Sequence, residues 1–512
     1  MNVLRGRNER RAFSAETDVV VVGSGAAGSI VAREVARAGY RVIVVEEGGY
    51  YAPDEYGALS PSHALRTLVR EAGLSLAVPL GNTPAISVMA GRCIGGSSVL
   101  TGGVCFRIPD DVLYAWKTKL GLTDLGPESM APFFEEIERD IAVETVPEAM
   151  RSKSTQLFVR GADALGIPMK SVRRNTRGCR GASRCNFGCP HGAKISVDVA
   201  VLPEACERGA QVISDALVER VECNYGVASG VQGHFLAPDE PASAIPFSIR
   251  ARVVVIACGA LHTPLLLKRS GLGSKHVGRH LTLHPAFRVG ALFDERVDGW
   301  DGAMQSVYSD HFAREGLTLV SAYTAPNVLA AAFPGVGQEH RRAASSLANL
   351  AFFGAMVHDS GGGSIRRWVS REPLVTYRMA KRDVERMWLG IQVLGELALA
   401  GGARAVMLPI FGQEPVSSRA QLETVTKASR PTKKVECMSF HPLGSAKMGA
   451  THSDSVVDSS GQLWNARNVV VADASVIPTS IGVNSQVGVM AMAMRIARHL
   501  VERLGQRGRA AA

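Results

Sequence analysis

The sequence predicts an α/β fold, α+β over the whole chain, on three observations in its first fifty residues. Asp18-Val19-Val20-Val21-Val22 is a short β-branched apolar run, as a strand buried on both faces of a parallel sheet requires. Ile30, Val31, Val35 and Ala36 then keep helical spacing until Gly39, and Arg41-Val42-Ile43-Val44-Val45 reads as a second strand ending at Glu46. Together they make one complete βαβ unit. At 512 residues the chain holds two to four structural units of ordinary size, so this one is only a part of it.

The link between first strand and helix is Gly23-Ser24-Gly25-Ala26-Ala27-Gly28. Gly23 permits a tight turn, Gly25 lets a pyrophosphate approach the backbone, and Gly28 lets helix and strand pack closely. Ala26 and Ala27 open a helix whose N-terminus faces the phosphates, while Glu46 accepts hydrogen bonds from the adenosine ribose. A lone GxGxxG is weak, but with flanking strand, helix, second strand and terminal acid it predicts a Rossmann-like dinucleotide site. The motif does not choose between FAD and NAD. Glu47, beside Glu46, reads as a solvated loop acid.

Composition narrows the class. Apolar residues make up 46% and charged residues 20%, the balance of a globular protein. The net charge of +10 comes from scattered Arg and Lys, with no basic run and no zinc-finger spacing, so nucleic-acid binding is not expected. The basic N-terminus has no apolar stretch behind it, and Val253 to Leu267 is broken by Gly259, His262 and Pro264, so neither a secretory signal nor a transmembrane segment is predicted. Nine cysteines, an odd count, favour free thiols and a cytoplasmic location.

A second glycine cluster, Gly91-Arg92-Cys93-Ile94-Gly95-Gly96-Ser97-Ser98-Val99-Leu100-Thr101-Gly102-Gly103, suits close approach to a flat ring and its phosphates. With the first motif it resembles the glucose-methanol-choline (GMC) family of FAD-dependent oxidoreductases. Val253 to Pro264, Ser270-Gly271-Leu272-Gly273, Val277-Gly278-Arg279-His280-Leu281 and Asn468 to Pro478 resemble further family signatures, in the family's order. Carried over by position, the resemblance implies that Gly23, Ser24, Gly25, Glu46, Arg92, Gly96, Ser97, Asp473, Ala474 and Asn484 contact FAD. Val218 aligns with a position whose backbone meets the adenine. Members with covalent flavin carry a His near the Gly-Gly-Ser-Ser segment; Val99 and Leu100 follow it here, so noncovalent FAD is expected. Thr101 replaces a common Asn, and Ser485 stands where Asn-Pro is usual. The family fold implies a discontinuous FAD-binding domain (14–110, 195–292 and 436–507), a lid or connecting region (111–194), and a sheet-based substrate-binding cap (293–435).

Two runs near the C-terminus supply chemistry, Ser439-Phe440-His441-Pro442-Leu443-Gly444-Ser445 and Gly482-Val483-Asn484-Ser485-Gln486. A base and a hydrogen-bond donor converging on one oxygen are what alcohol oxidation needs, and the resemblance makes His441 and Asn484 the active-site pair. Neutral imidazole can take the hydroxyl proton near physiological pH, and the Asn amide stabilises the charge that develops on oxygen. His262, His280, His284 and His452 fit structural or solvated roles. The helix predicted over Gln486 to Leu500 has Met490, Met494 and Ala497 on its packed face.

Cys179, Cys185 and Cys189 invite a metal or iron–sulfur site completed by Cys206 or His191. The spacing matches neither common ferredoxin pattern and no CxxC pair is present, so a loop of thiols is expected and no metal is assigned. Cys185 to Lys194 also resembles a segment of the long-chain alcohol oxidase and bacterial alcohol dehydrogenase branch, which points to a primary, bulky or apolar alcohol. The expected activity is an alcohol oxidase or dehydrogenase, passing hydride to flavin N5 and then to dioxygen, a quinone or a carrier protein. A redox-neutral flavoprotein lyase of the hydroxynitrile lyase type and a noncatalytic flavin-binding protein are the alternatives.

Overall fold

The computed structural model describes residues 1–236, 245–323, 325–331, 336–368 and 371–511. Two sheets organise the chain. The first runs in the order Val3–Arg5, Gln211–Ser214, Val42–Val45, Phe13–Val22, Pro246–Ile256, and then splits. Over Val254 to Ile256 the neighbour is the parallel strand Val469–Val471, whereas over Pro246 to Arg250 it is the antiparallel strand Val227–Phe235, which leads to Ala216–Asn224. Three segments far apart in sequence thus meet in one parallel sheet.

The strand Phe13–Val22 is longer than its apolar run. Val19 to Val22 are buried because both faces are covered, while Phe13 to Glu16 alternate between half-buried and exposed. The continuous apolar run marks only the second half of the strand. The helix Ala26–Arg37 packs Ile30, Val31 and Val35 on the sheet and stops at Gly39, whose φ of +83° suits a glycine. The C-terminal helix begins at Gln486 as predicted and runs on to Ala511, with Met490, Met494 and Ala497 fully buried.

The second sheet is larger. Its order is Gly362–Arg367, Pro373–Arg378, Leu76–Pro79, Ile86–Val88, Cys437–Ser439, Ala286–Leu292, Leu350–Val357, Leu317–Ser321, Val307–Ser309 and Lys170–Ser171. One face is covered by the helices Lys381–Ala400 and Lys153–Ala164, which bury Trp388, Leu394, Leu397 and Phe158 against Phe287, Phe353 and Ile86. The other face carries the cross-strand row Thr318, Met356, Ala286, Met438, Ser87 and Leu76.

Sheet membership departs from the sequence-based boundaries. Strands Leu76–Pro79, Ile86–Val88, Ala286–Leu292 and Cys437–Ser439 belong to the second sheet, although they lie in segments assigned to the FAD-binding domain. The segment 111–194, expected as a lid or connecting region, packs into both cores. Leu113, Trp116, Phe134 and Ile137 pack into the first core with the C-terminal helix, and Leu157, Phe158 and Ala162 into the second. Strands of three or four residues carry too little periodicity to reveal which sheet they join. Residues 324, 332–335 and 369–370 of the expected cap lie outside the described residues.

Candidate active site

The two glycine motifs meet. A Cβ on Gly96, whose φ is +53°, would lie 2.8 Å from Gly25 Cα, and Gly25 itself faces open space apart from that neighbour. Gly25 is also the N-cap of the helix Ala26–Arg37, so the amides of Ala26 and Ala27 open onto this space. A Cβ on Gly28 would strike Gly23 O at 1.9 Å, and one on Gly23 would strike Ala257 O at 2.3 Å. Gly23 and Gly28 therefore serve backbone packing, and Gly25 and Gly96 leave a cradle. That cradle fits a pyrophosphate: it is glycine-walled and sits at a helix N-terminus.

Glu46 lies at its edge, buried. One carboxylate oxygen accepts from the Ser24 amide at 2.9 Å and hydroxyl at 2.8 Å, and the other from Gly48 N at 2.8 Å. Burial raises its pKa, with the Ser24 and Gly48 donors opposing. The Ser24 hydroxyl in turn accepts from Gly95 N at 3.2 Å, joining both motifs. Ser97 is exposed and accepts from Gly91 N at 2.9 Å, and Arg92 is half-buried beside Gly48. Val218 lies buried in the strand Ala216–Asn224, whose first residue donates its amide to Glu46 O at 2.9 Å.

Glu47 is not a solvated loop acid. It pairs with Arg70 at 2.7 Å and Arg371 at 2.8 Å, and Arg70 also meets Glu372 at 3.0 Å. Burial pushes the Glu47 carboxyl up, but the two arginines hold it at about 2.

Asp473 is buried with its carboxylate turned inward. It accepts from Gly259 N at 2.8 Å, from Ser475 N at 2.7 Å and from the Thr263 hydroxyl, capping one helix and supporting another. Ala474, next to it, is half-buried. Gln486 accepts from the Thr101 hydroxyl at 3.0 Å, and its side-chain nitrogen, also buried, has no protein partner.

His441 and Asn484 are brought together. Asn484 Nδ2 lies 3.2 Å from His441 Nε2, close enough for the amide to donate to the ring. That bond places the ring proton on Nδ1 and leaves Nε2 as the acceptor. Burial, reinforced by His284, pushes the His441 pKa down to about 3, with Asp359 acting the other way. The ring is therefore neutral at physiological pH, as a base must be.

Other functional residues escaped the sequence. His284 is fully buried, its ring centroid 5.5 Å from that of His441, and its Nε2 accepts from Ile481 N and Gly482 N, both at 3.1 Å. Asp359, also buried, accepts from Leu283 N, His284 N, Ser480 and Tyr377. Lys194 donates to the carbonyls of Val99, Thr101 (3.0 Å) and Cys185 (2.9 Å), and burial lowers its pKa to about 8. It thereby ties the cysteine loop to the second glycine motif.

All nine cysteines are free thiols. Arg174, fully buried, donates to Cys185 Sγ at 2.9 Å. Among the described residues no group of three His, Cys, Asp or Glu side chains is arranged to hold a metal ion, and no helix is long and apolar enough to cross a membrane.

Comparison with known proteins agrees with this geometry. The N-terminal GMC oxidoreductase family model matches residues 17–286, and the C-terminal one matches 366–493. The chain is 36% identical to a GMC-type oxidoreductase of Mycobacterium tuberculosis whose own activity is uncharacterised, over 95% of this chain and 76% of that one. It is 28% identical to a long-chain-alcohol oxidase of Arabidopsis thaliana, over 98% and 68%. Its fold matches crystalline pyridoxine 4-oxidase from Mesorbium loti with a TM-score of 0.72 at 18% identity, covering 94% of this chain and 99% of that one. The double-glycine cradle, the split parallel sheet and these matches lead to one conclusion: the chain belongs to the GMC oxidoreductases, a family of FAD flavoproteins acting on CH–OH donors.

Proposed function

We propose that the protein oxidises a primary, bulky or apolar alcohol to the aldehyde or ketone, with His441 as general base and Asn484 as hydrogen-bond donor. The 3.2 Å contact between Asn484 Nδ2 and His441 Nε2 carries this reading, because it sets one donor and one acceptor at a single point. An alcohol oxygen entering there takes the amide hydrogen bond from Asn484 and offers its own proton to Nε2. Bound FAD supplies the hydride acceptor. Neutral His441 removes the hydroxyl proton, and Asn484 steadies the negative charge left on oxygen. Gly23, Ser24, Gly25, Ala26, Ala27 and Gly28, with Arg92, Gly96 and Ser97, are assigned to the pyrophosphate and flavin side, Glu46 and Val218 to the adenosine, and Asp473 and Ala474 to the ribityl chain.

The open face of the second sheet supports an apolar substrate. The Thr318 hydroxyl meets Gly482 O at 3.5 Å, so this face looks toward the loop that carries Asn484. Along the row from Met356, 5% exposed, through Met438 to Leu76, 50% exposed, the side chains become progressively accessible, and Val78 and Phe440 add exposed apolar surface nearby. An apolar tail can lie along such a row with its hydroxyl at His441.

FAD is held noncovalently in this reading, since Val99 and Leu100 follow the Gly-Gly-Ser-Ser segment; acid precipitation then releases the yellow chromophore into the supernatant. A cytoplasmic location accords with nine free thiols. Dioxygen, a quinone or a carrier protein reoxidises the flavin. Anaerobic mixing with aliphatic, sterol, aryl and sugar alcohols tests the proposal. Bleaching of the visible flavin band by bulky or apolar primary alcohols is expected; no bleaching across the panel contradicts it and favours a redox-neutral lyase.

A further inference from the structure

His441 and Asn484 come from segments separated in sequence by more than forty positions, and the direct backbone bonds between those segments, from Gly444, Ala446 and Met448 to Ala474, Ser475 and Val476, lie several residues away from either side chain. A third segment, Leu281 to Pro285, lies between them. On one side Thr282 and Leu443 exchange both backbone hydrogen bonds at 3.0 Å, and the Ser439 hydroxyl donates to Leu283 O. On the other side His284 Nε2 accepts the amides of Ile481 and Gly482. Asp359 repeats the connection. Its carboxylate accepts from Leu283 N at 2.9 Å and His284 N at 3.3 Å, and from the Ser480 hydroxyl at 2.8 Å on the Asn484 side, with the Tyr377 hydroxyl as a fourth donor.

We propose that His284 and Asp359 are positioning residues, a buried bracket that fixes the distance between His441 and Asn484. The inference rests on the catalytic reading of that pair. Three features of His284 go beyond ordinary core packing. Its φ of +49° is left-handed in a residue with a side chain, which persists only where the surroundings over-determine it. Its Nε2 takes two amide hydrogens at once, so the ring must be neutral with its proton on Nδ1. Complete burial enforces that state by lowering its pKa to about 3, with His358 adding to the effect. A charged imidazole would turn a donor toward two donors and open the bracket.

The bracket is a matter of acceptor chemistry, which makes it separable from side-chain volume. Gln can offer a carbonyl oxygen near the place of Nε2; Leu fills the space without an acceptor. Asp359 acts through the same two segments from the end of a third strand, Leu350–Val357. Removing the Ser480 hydroxyl cuts its one side-chain bond toward Asn484 and leaves the other donors in place.

The test uses the FAD-loaded protein and an alcohol that bleaches the wild type. Hydrogen–deuterium exchange of the peptide spanning 478–486 is read alongside the rate of flavin bleaching. His284→Leu is expected to slow bleaching about 100-fold, as expected for reacting groups displaced by about 1 Å. The amides of Ile481 and Gly482 should exchange at least about tenfold faster, with FAD content unchanged. His284→Gln should recover most of both losses. Ser480→Ala, which disturbs folding least, should slow bleaching several-fold and speed the same amides. Wild-type bleaching and exchange in His284→Leu overturn the bracket, as does a folded His284→Gln no better than Leu. Should His284→Leu fail to fold, an unchanged Ser480→Ala overturns it equally. If no alcohol bleaches the wild type, the oxidation reading has failed, and the exchange measurement still reports on the bracket alone.

Discussion

Replacing Gly96 by Ala probes the contact between the two glycine loops. At φ +53°, an alanine pays about 1–2 kcal/mol for the left-handed conformation. Its Cβ would also lie 2.8 Å from Gly25 Cα, where carbon atoms rest at about 3.5–4.0 Å, so the loops must part by most of an ångström. Parting them moves the helix N-terminus away from the phosphates. A loss of about 1.4–2.8 kcal/mol in cofactor binding corresponds to a 10- to 100-fold weaker Kd for FAD. Gly39→Ala is the matched control. Gly39 also has a left-handed φ, +83°, but a Cβ there meets nothing within 4 Å, and the site is the far end of the same helix. Titration of apoprotein with FAD, followed by flavin fluorescence, should show weakened binding for Gly96→Ala only, while thermal unfolding falls for both apoproteins and further for Gly96→Ala, which adds the clash to the strain. Wild-type FAD affinity in Gly96→Ala, or an equal loss in Gly39→Ala, refutes the cradle.

Three further outcomes follow from the site. Asn484→Ala should lower the flavin-bleaching rate about 10²- to 10³-fold, as for an oxyanion donor, while FAD content by absorbance stays at wild-type level. With the His441 pKa held near 3, the bleaching rate should change less than about twofold between pH 8 and 5, and an acid limb near 6.5 in stopped-flow profiles would contradict this. His284 links folding to pH in the same sense: below its ordinary pKa of 6.5 the unfolded chain binds a proton that the native ring refuses down to about 3. Stability therefore falls with pH by about 1.4 kcal/mol per unit from this group across that window, measurable by urea unfolding and absent in His284→Gln. Finally, Arg70→Met removes the cation that Glu47 and Glu372 share, leaving Glu47 with Arg371 alone, and should cost about 3 kcal/mol in denaturant unfolding, part of which Glu47→Gln restores.

The first βαβ unit was legible because its strands are buried on both faces and its glycines have steric reasons to be glycine. The approach of Gly28 to Gly23 O at 1.9 Å is the kind of constraint a motif records. The pairing of His441 with Asn484 was reachable through the order of the motifs. Other features were not, for one physical reason: their partners are remote in sequence. Glu47 finds Arg371 across the chain, and His284 finds its amide donors 197 and 198 positions later. A histidine before a proline does not announce that it will accept two backbone amides. Sheet membership was hidden for a related reason, since strands such as Ile86–Val88 and Cys437–Ser439 are too short to show which sheet will recruit them.

The proposed chemistry turns on His441 removing the alcohol proton. Its most direct test is the anaerobic rate of flavin bleaching in His441→Ala, with wild-type FAD content verified first, using an alcohol that bleaches the wild type. A rate lower by about 10²- to 10⁴-fold is expected of a lost general base. Bleaching at the wild-type rate, in a variant that keeps its flavin, would show that the proton goes elsewhere.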